Sequence, residues 1–232
     1  MPDPHSILVP RAPFAGLLPV APNAGCGVIV SDRDGLGLAT VLARKDADAA
    51  LAQRVCEHFR VELPQGPYRA TGGHFALAGT GPRAWLATFE RGGNGFAVRL
   101  RERIGDLASV SDQSDGYALL RLAGPKVRDT LCKLVPLDVH PRAFKIGDVA
   151  VTVAAHIGAT LWRLEDHADG SPVFEIAVFR GLATSLWQAL RESAAEFDVG
   201  EAGFELSMAR SNDHCPYASL NDAAVERGDA PT

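Results

Sequence analysis

The chain is poor in the residues that most often announce a chemistry. Four cysteines in 232 residues, Cys26, Cys56, Cys132 and Cys215, stand far apart with no CxxC pair. That spacing excludes the usual zinc cage and disulfide framework. It leaves free, buried thiols in a reducing compartment as the expectation, with Cys56 and Cys132 on helices. No stretch approaches the ~20 continuous apolar residues of a membrane helix. No basic segment followed by an apolar core opens the chain, so no secretory signal is expected. Charge of one sign is also missing. The 23 Lys and Arg against 28 Asp and Glu leave a net charge of −5, and the basic residues are scattered where a nucleic-acid partner needs a concentrated face. A cytoplasmic protein with neither a membrane nor a nucleic-acid partner is the expectation.

Motifs of bound phosphate and of covalent catalysis are missing too. Gly35-Leu36-Gly37 and the run from Gly92 to Gly95 form neither GxGxxG nor GxxxxGK[ST], which excludes the common dinucleotide and P-loop signatures. Ser109, Ser111, Ser114 and His140 stand in no GxSxG elbow and no recognisable triad order. The seven histidines do not cluster, and His214-Cys215 lies in a weakly patterned tail. No catalytic and no metal-ligating residue is therefore expected.

What is present is an ordinary globular complement, 47% hydrophobic and 22% charged, arranged in alternating apolar patterns. The first 25 residues carry Pro2, Pro4, Pro10, Pro13, Pro19 and Pro22. Each fixes φ and removes a backbone donor, so 1–25 reads as an extended arm. The arm also carries Ile7, Leu8, Val9, Phe14, Leu17, Leu18 and Val20, which must be covered either by its own domain or by a partner. Strands are predicted at 36–43, 75–78, 85–89, 117–123, 149–153, 159–164 and 173–179. Helices are predicted from Asp46 to about 61, from an Asn94 cap through Ile104, from Pro125 through Val135, and from Leu182 to Phe197. The order does not alternate as a doubly wound sheet would. It predicts an α+β fold of two split β-α-β halves, about 26–108 and 109–200, with helices on largely antiparallel sheets. Residues 201–232 read as a C-terminal tail.

Two places hold candidate functional groups. Asp112 and Asp115 precede the strand at 117–123; two carboxylates so spaced serve either as an acid/base pair or as turn residues bonding their own backbone. The loop 136–144 has prolines that hold it extended and apolar Leu137, Val139 and Phe144 outside any helical or strand rhythm. It is either pinned to its own core or buried against a partner, with Asp138, His140 and Arg142 at its rim.

The segments Ser111-Asp112-Gln113-Ser114-Asp115-Gly116, Arg121-Leu122-Ala123-Gly124-Pro125 and the loop 136–144, with Gly81-Pro82-Arg83-Ala84-Trp85-Leu86 and Trp187, resemble the gamma subunit family of heterotetrameric sarcosine oxidase. The resemblance spans about 25–198 and extends to the wider glycine-cleavage T-protein class. It implies a folate-binding-domain-like fold with ferredoxin-like halves. It also implies assembly with alpha, beta and delta subunits into an oxidoreductase of sarcosine catabolism and one-carbon metabolism. Such an assembly oxidatively demethylates sarcosine or a related N-methyl amino acid and passes the one-carbon unit to tetrahydrofolate. FAD, FMN, NAD, tetrahydrofolate and zinc are expected in the other subunits. In that assembly Phe14, Leu17, Leu18, Leu137, Val139, His140, Arg142 and Phe144 are the partner-contact candidates. A stand-alone folate or one-carbon binder of the T-protein class is the alternative, for which Asp112 and Asp115 are the pterin candidates.

Overall fold

The computed structural model describes residues 11–18, 25–90 and 95–201. Eleven strands and four α-helices alternate along this part. They are β1 (Val28–Asp32), β2 (Gly37–Ala43), α1 (Asp48–Phe59), β3 (Arg69–Gly72), β4 (Phe75–Gly81), β5 (Ala84–Phe89), α2 (Phe96–Ile104) and β6 (Ala108–Asp112). There follow β7 (Tyr117–Ala123), α3 (Val127–Leu134), β8 (Val149–Ala154), β9 (Ile157–Arg163), β10 (Val173–Phe179), α4 (Ala183–Ser193) and β11 (Val199–Glu201).

The strands form two sheets, β3-β4-β5-β2-β6 and β8-β9-β10-β7-β1-β11. All pairings are antiparallel except β1 with β11. The two halves share one plan. Each runs β-α-β-β-β-α-β, and in each the first strand lies between the fourth and the last. The second half differs only in admitting β1 between its first and last strands. The α+β class and the helices on antiparallel sheets agree with the sequence. The boundary does not. β6 extends the first half to Asp112, and β1 crosses from the front of the chain into the second sheet.

Helices cover the outer faces because their apolar stripes match. Leu51, Val55 and Phe59 of α1 and Phe96, Leu100 and Ile104 of α2 pack on Val41, Phe75, Leu77, Trp85 and Ala87 of the first sheet. Leu131 and Leu134 of α3 and Leu186, Trp187 and Leu190 of α4 pack on Leu120, Leu122, Phe174, Ile176 and Val178 of the second. A third cluster joins the two sheets face to face: Leu38, Ala78 and Leu86 against Leu119, Val149, Trp162 and Ala177. The molecule is thus a four-layer sandwich, helices–sheet–sheet–helices. Gly124, at φ +116, turns β7 into α3 so tightly that a Cβ there would stand 2.6 Å from the Gly27 carbonyl oxygen, so glycine is required at that position.

Several local expectations change. α1 starts at Asp48, and Asp46 occupies a left-handed turn at φ 61 ahead of it. Pro125 lies in the turn before α3, whose N-cap is Lys126. The final helix is shorter than its apolar pattern, with a 3-10 turn at Arg180–Leu182 before it. The expected Asn94 cap falls outside the described residues. Cys56 and Cys132 are exposed and Cys26 half-buried, so the expectation of buried thiols fails: both helical cysteines sit on the solvent side of their stripes. Cys215 is outside the described residues.

Candidate functional site

The most buried charged side chain among the described residues is Glu175, on the apolar strand β10 and 2% exposed. Alternation along the strand turns it away from the helices, into the layer between the sheets. Its register partner on β7 is Arg121, whose Nε and Nη2 donate to Glu175 Oε1 at 3.0 and 2.7 Å. Arg33, just past β1, donates to the same oxygen at 2.9 Å, and Trp162 Nε1 donates to Oε2 at 2.8 Å. The other end of Arg33 pairs with Glu90, which follows β5 of the opposite sheet. One buried guanidinium therefore spans both sheets.

Arg69, on the edge strand β3, approaches the same group. Its Nε has no hydrogen-bond partner. Three arginines face two glutamates here, leaving one excess positive charge. Burial alone would raise the Glu175 pKa; Arg121, Arg33 and Arg69 outweigh it and hold the carboxyl down to about 2. Burial in turn lowers the Arg69 pKa, only partly offset by Glu175 and Glu90. For Arg33 burial again opposes the charge, but the two glutamates win and raise the pKa.

The linkage has a definite sign. A carboxylate whose folded pKa is depressed stabilises the fold fully above its ordinary value of 4.5, and that stabilisation is lost as pH falls towards about 2. The pH-dependent part is roughly 3 kcal/mol. Urea midpoints measured across pH 7 to 2 should fall in that window for the native chain and fall less for Glu175→Gln.

The nominated carboxylates lie elsewhere. Asp112, the last residue of β6, and Asp115, in the turn before β7, are both exposed. Asp112 Oδ1 accepts from the Ser114 amide at 3.0 Å and the Ser114 hydroxyl at 2.7 Å, the bonding of a turn residue. The structure does not bring the two together at the floor of a pocket.

The loop 136–144 is fastened to its own domain. Val139 is 0% and Phe144 7% exposed within the α3–α4 core, and Leu137 packs half-buried against it. Two arginines hold the loop backbone: Arg128 Nε donates to the Val139 carbonyl at 3.1 Å and Arg163 Nη1 to the Phe144 carbonyl at 3.1 Å. Val139 and Phe144 thus have no surface left for a partner, which corrects their nomination. His140 and Arg142 remain exposed. They are ordered by short-range bonds, the His140 amide donating to Asp138 Oδ1 at 2.9 Å and the Arg142 amide to His140 Nδ1 at 3.3 Å.

The arm residues divide similarly. Phe14 is 1% exposed inside the second-sheet core, so it too leaves the contact set, while Leu17 and Leu18 pack half-buried at the margin. Leu17 lines an open groove of about 540 Å³ with Trp187, Arg191, Ala195 and Asp198. The buried ionic group was not foreseen. The available signal was a lone charge at the centre of each of two apolar strands, Arg121 and Glu175, which burial forces to find a partner.

Residues 44–196 match the family model described as sarcosine oxidase, gamma subunit family. A sarcosine oxidase subunit gamma from Arthrobacter sp is 36% identical over 89 residues, 38% of this chain and 43% of that protein. The match thus spans under half the length of that curated relative. Among solved structures, the heterotetrameric sarcosine oxidase from Corynebacterium sp. U-96 superposes with a TM-score of 0.67 at 22% identity, over 84% of this chain and 99% of that one. Aminomethyltransferase T of the glycine cleavage system from Bartonella henselae gives 0.53 at 16% identity, over 77% of this chain and 48% of that one. At these identities the two structures establish a shared fold.

Proposed function

The chain belongs to the sarcosine oxidase gamma subunit family, and from that premise we propose that it is a structural, non-catalytic subunit of a heterotetrameric flavin-dependent oxidoreductase. The complex oxidatively demethylates sarcosine or a related N-methyl amino acid. FAD, FMN, NAD, tetrahydrofolate and zinc belong to its alpha, beta and delta partners, and the one-carbon unit leaves on tetrahydrofolate. The observation that carries the reading is the family match over 44–196, which takes in α1 to α4 and β3 to β10 and leaves out β1, β2 and β11.

The chemistry of the interior supports a structural role. Glu175, the most buried carboxylate, accepts bonds from Arg33, Arg121 and Trp162. A carboxylate so engaged, with its pKa near 2, makes a poor general acid or base near neutral pH. Exposed His140 and Arg142 and the half-buried Leu17, Leu18 and Leu137 are the groups we assign to partner contact. No described helix is long and apolar enough to cross a membrane, and a cytoplasmic site of action accords with that. Asp112 and Asp115, exposed at a turn, give the stand-alone folate binder no pocket, and that alternative is not favoured.

Co-expression with the neighbouring reading frames tests the proposal. Affinity capture of this chain should bring down an FAD-bearing subunit, with flavin absorbance and sarcosine-dependent peroxide formation. The chain alone should be colourless and give no heat on titration with tetrahydrofolate. Stoichiometric tetrahydrofolate binding by the lone chain, with no flavin subunit captured, would replace this reading by the stand-alone carrier.

A further inference from the structure

β8 is the outer strand of the second sheet, and its sequence, Val-Ala-Val-Thr-Val-Ala, holds no charge and no proline. Its even-numbered residues bond to β9. The two-residue turn Ala155-His156, with both φ positive, closes on the Ala154–Ile157 pair, and the alternation of an antiparallel ladder runs back from there. The odd-numbered residues turn their amide N–H and C=O the other way. The Val149 amide accordingly donates to the Pro67 carbonyl at 2.9 Å, away from β9. Beyond that point the edge is bare. Among the described residues, no backbone hydrogen bond reaches the outward N–H or C=O of Val151 or Val153.

The edges of the first sheet are better closed. In β6 the Val110 carbonyl accepts from Arg101 Nη2 at 2.9 Å. β3 has four residues, and its Arg69 amide donates to the Gly147 carbonyl at 2.7 Å. Proteins commonly guard a bare edge with a charge or a proline on the strand, and β8 carries neither. Its side chains agree with its backbone. Val151 and Val153 are 62% and 44% exposed on the face turned from the helices, and exposed Tyr68 and Ile146 flank the start of the strand. Four of the eight large exposed apolar side chains among the described residues thus gather at this one edge.

Apolar side chains beside unpaired backbone groups call for an extended strand. A helix or a lipid would cover the valines and leave the N–H and C=O groups unpaired. A second copy of this chain fits poorly. With Val151 opposite Val153 of the copy, the copy's Ala155 falls opposite Val149, whose amide Pro67 already holds. The groups assigned above to partner contact lie at the same margin, since the Ala155 amide donates to the Leu134 carbonyl at 2.9 Å and Leu137 follows closely.

We propose that β8 receives an extended strand of another subunit of the complex, apolar at alternate positions, which pairs with Val151 and Val153 and lengthens the second sheet by one strand. The backbone of that strand supplies the hydrogen bonds, and its inward side chains cover the two valines. The proposal rests on the subunit reading and adds the place where the chain is held.

Hydrogen exchange of the assembled complex, compared with the lone chain, tests it. On assembly the amides of Val151 and Val153 should exchange on the order of a hundredfold slower. Val151→Pro removes one outward donor and leaves the β9 ladder in place. Val151→Lys keeps the donor and puts a charge on the apolar face. Each should weaken capture of the FAD-bearing subunit about tenfold or more, with the circular dichroism of the lone chain unchanged. A complex in which both amides exchange as fast as in the lone chain overturns the proposal and leaves the subunit assignment standing. Undiminished capture by both variants does the same. Failure to capture any flavin subunit overturns both. Protection of the two amides in the lone chain that disappears on dilution marks a second copy and overturns the partner strand.

Discussion

Glu175→Ala is expected to destabilise the fold by roughly 3–5 kcal/mol, read as a fall in the urea midpoint at pH 7. The size follows from what is left behind. Arg33 and Arg121 would keep their positions between the sheets, facing Arg69, with Glu90 left as the acid paired with Arg33. A charge stranded in that layer costs far more than the lost pair contributes, because the pair itself offsets a large desolvation penalty. The geometry admits no easy escape, since Arg33 and Glu175 are only 5% and 3% exposed at their side chains. A solvent-exposed pair supplies the contrast. Lys126 and Asp129 meet at 3.0 Å but are each about half exposed, and Asp129→Ala should change stability by no more than about 0.5 kcal/mol. A Glu175→Ala chain as stable as the native one would mean that the ionic group does not hold the two sheets together.

The second large effect belongs to the arm. Phe14→Ala should lower stability by roughly 3 kcal/mol, within the range for aromatic truncation in a core. Phe14 is 1% exposed among Val28, Leu120, Leu131 and Leu190 and their neighbours. The loss is held toward the lower end of the range because a terminal segment can peel away without opening the sheets. Leu17→Ala, at the half-buried margin, should cost about 1 kcal/mol. If Phe14→Ala leaves the urea midpoint unchanged, the arm is not part of this core and is free to lie on a partner subunit.

The sequence was most legible where hydrophobic rhythm and length agreed. Leu51, Val55 and Phe59 marked α1, and the apolar runs of β7 and β10 marked the central strands. The antiparallel character followed from strands that come in consecutive pairs. What escaped were strands made mostly by their neighbours. β6, Ala-Ser-Val-Ser-Asp, has two apolar inward positions and polar outward ones, and forms because β2 offers an edge. β3 and β11 have four and three residues, too short for any period to show. β1 has a fair apolar pattern, but its place in the second sheet is a fact of topology that no local pattern carries.

The candidate site was less legible, for related reasons. Asp112 and Asp115 attracted notice as clustered acids, yet a turn before a strand is where such residues bond their own backbone. Val139 and Phe144 looked like contact residues because they lie outside regular structure. The anchors that bury them, Arg128 and Arg163, come from a helix and a strand, one of them nineteen residues away along the chain. The ionic group depends on Arg33, Glu90, Arg121 and Glu175 meeting across two sheets, with up to 142 residues between partners. Arg121 and Glu175, each the lone charge in an otherwise apolar strand, gave the hint of it.

The mass of the intact assembly tests the subunit assignment most directly. Native mass spectrometry of the sarcosine-oxidising complex, purified through a tag on its FAD-bearing subunit, should show one copy of this 24.6 kDa chain per flavin subunit, retained at nanomolar concentration. A complex of full activity whose mass leaves no place for the chain would contradict the assignment.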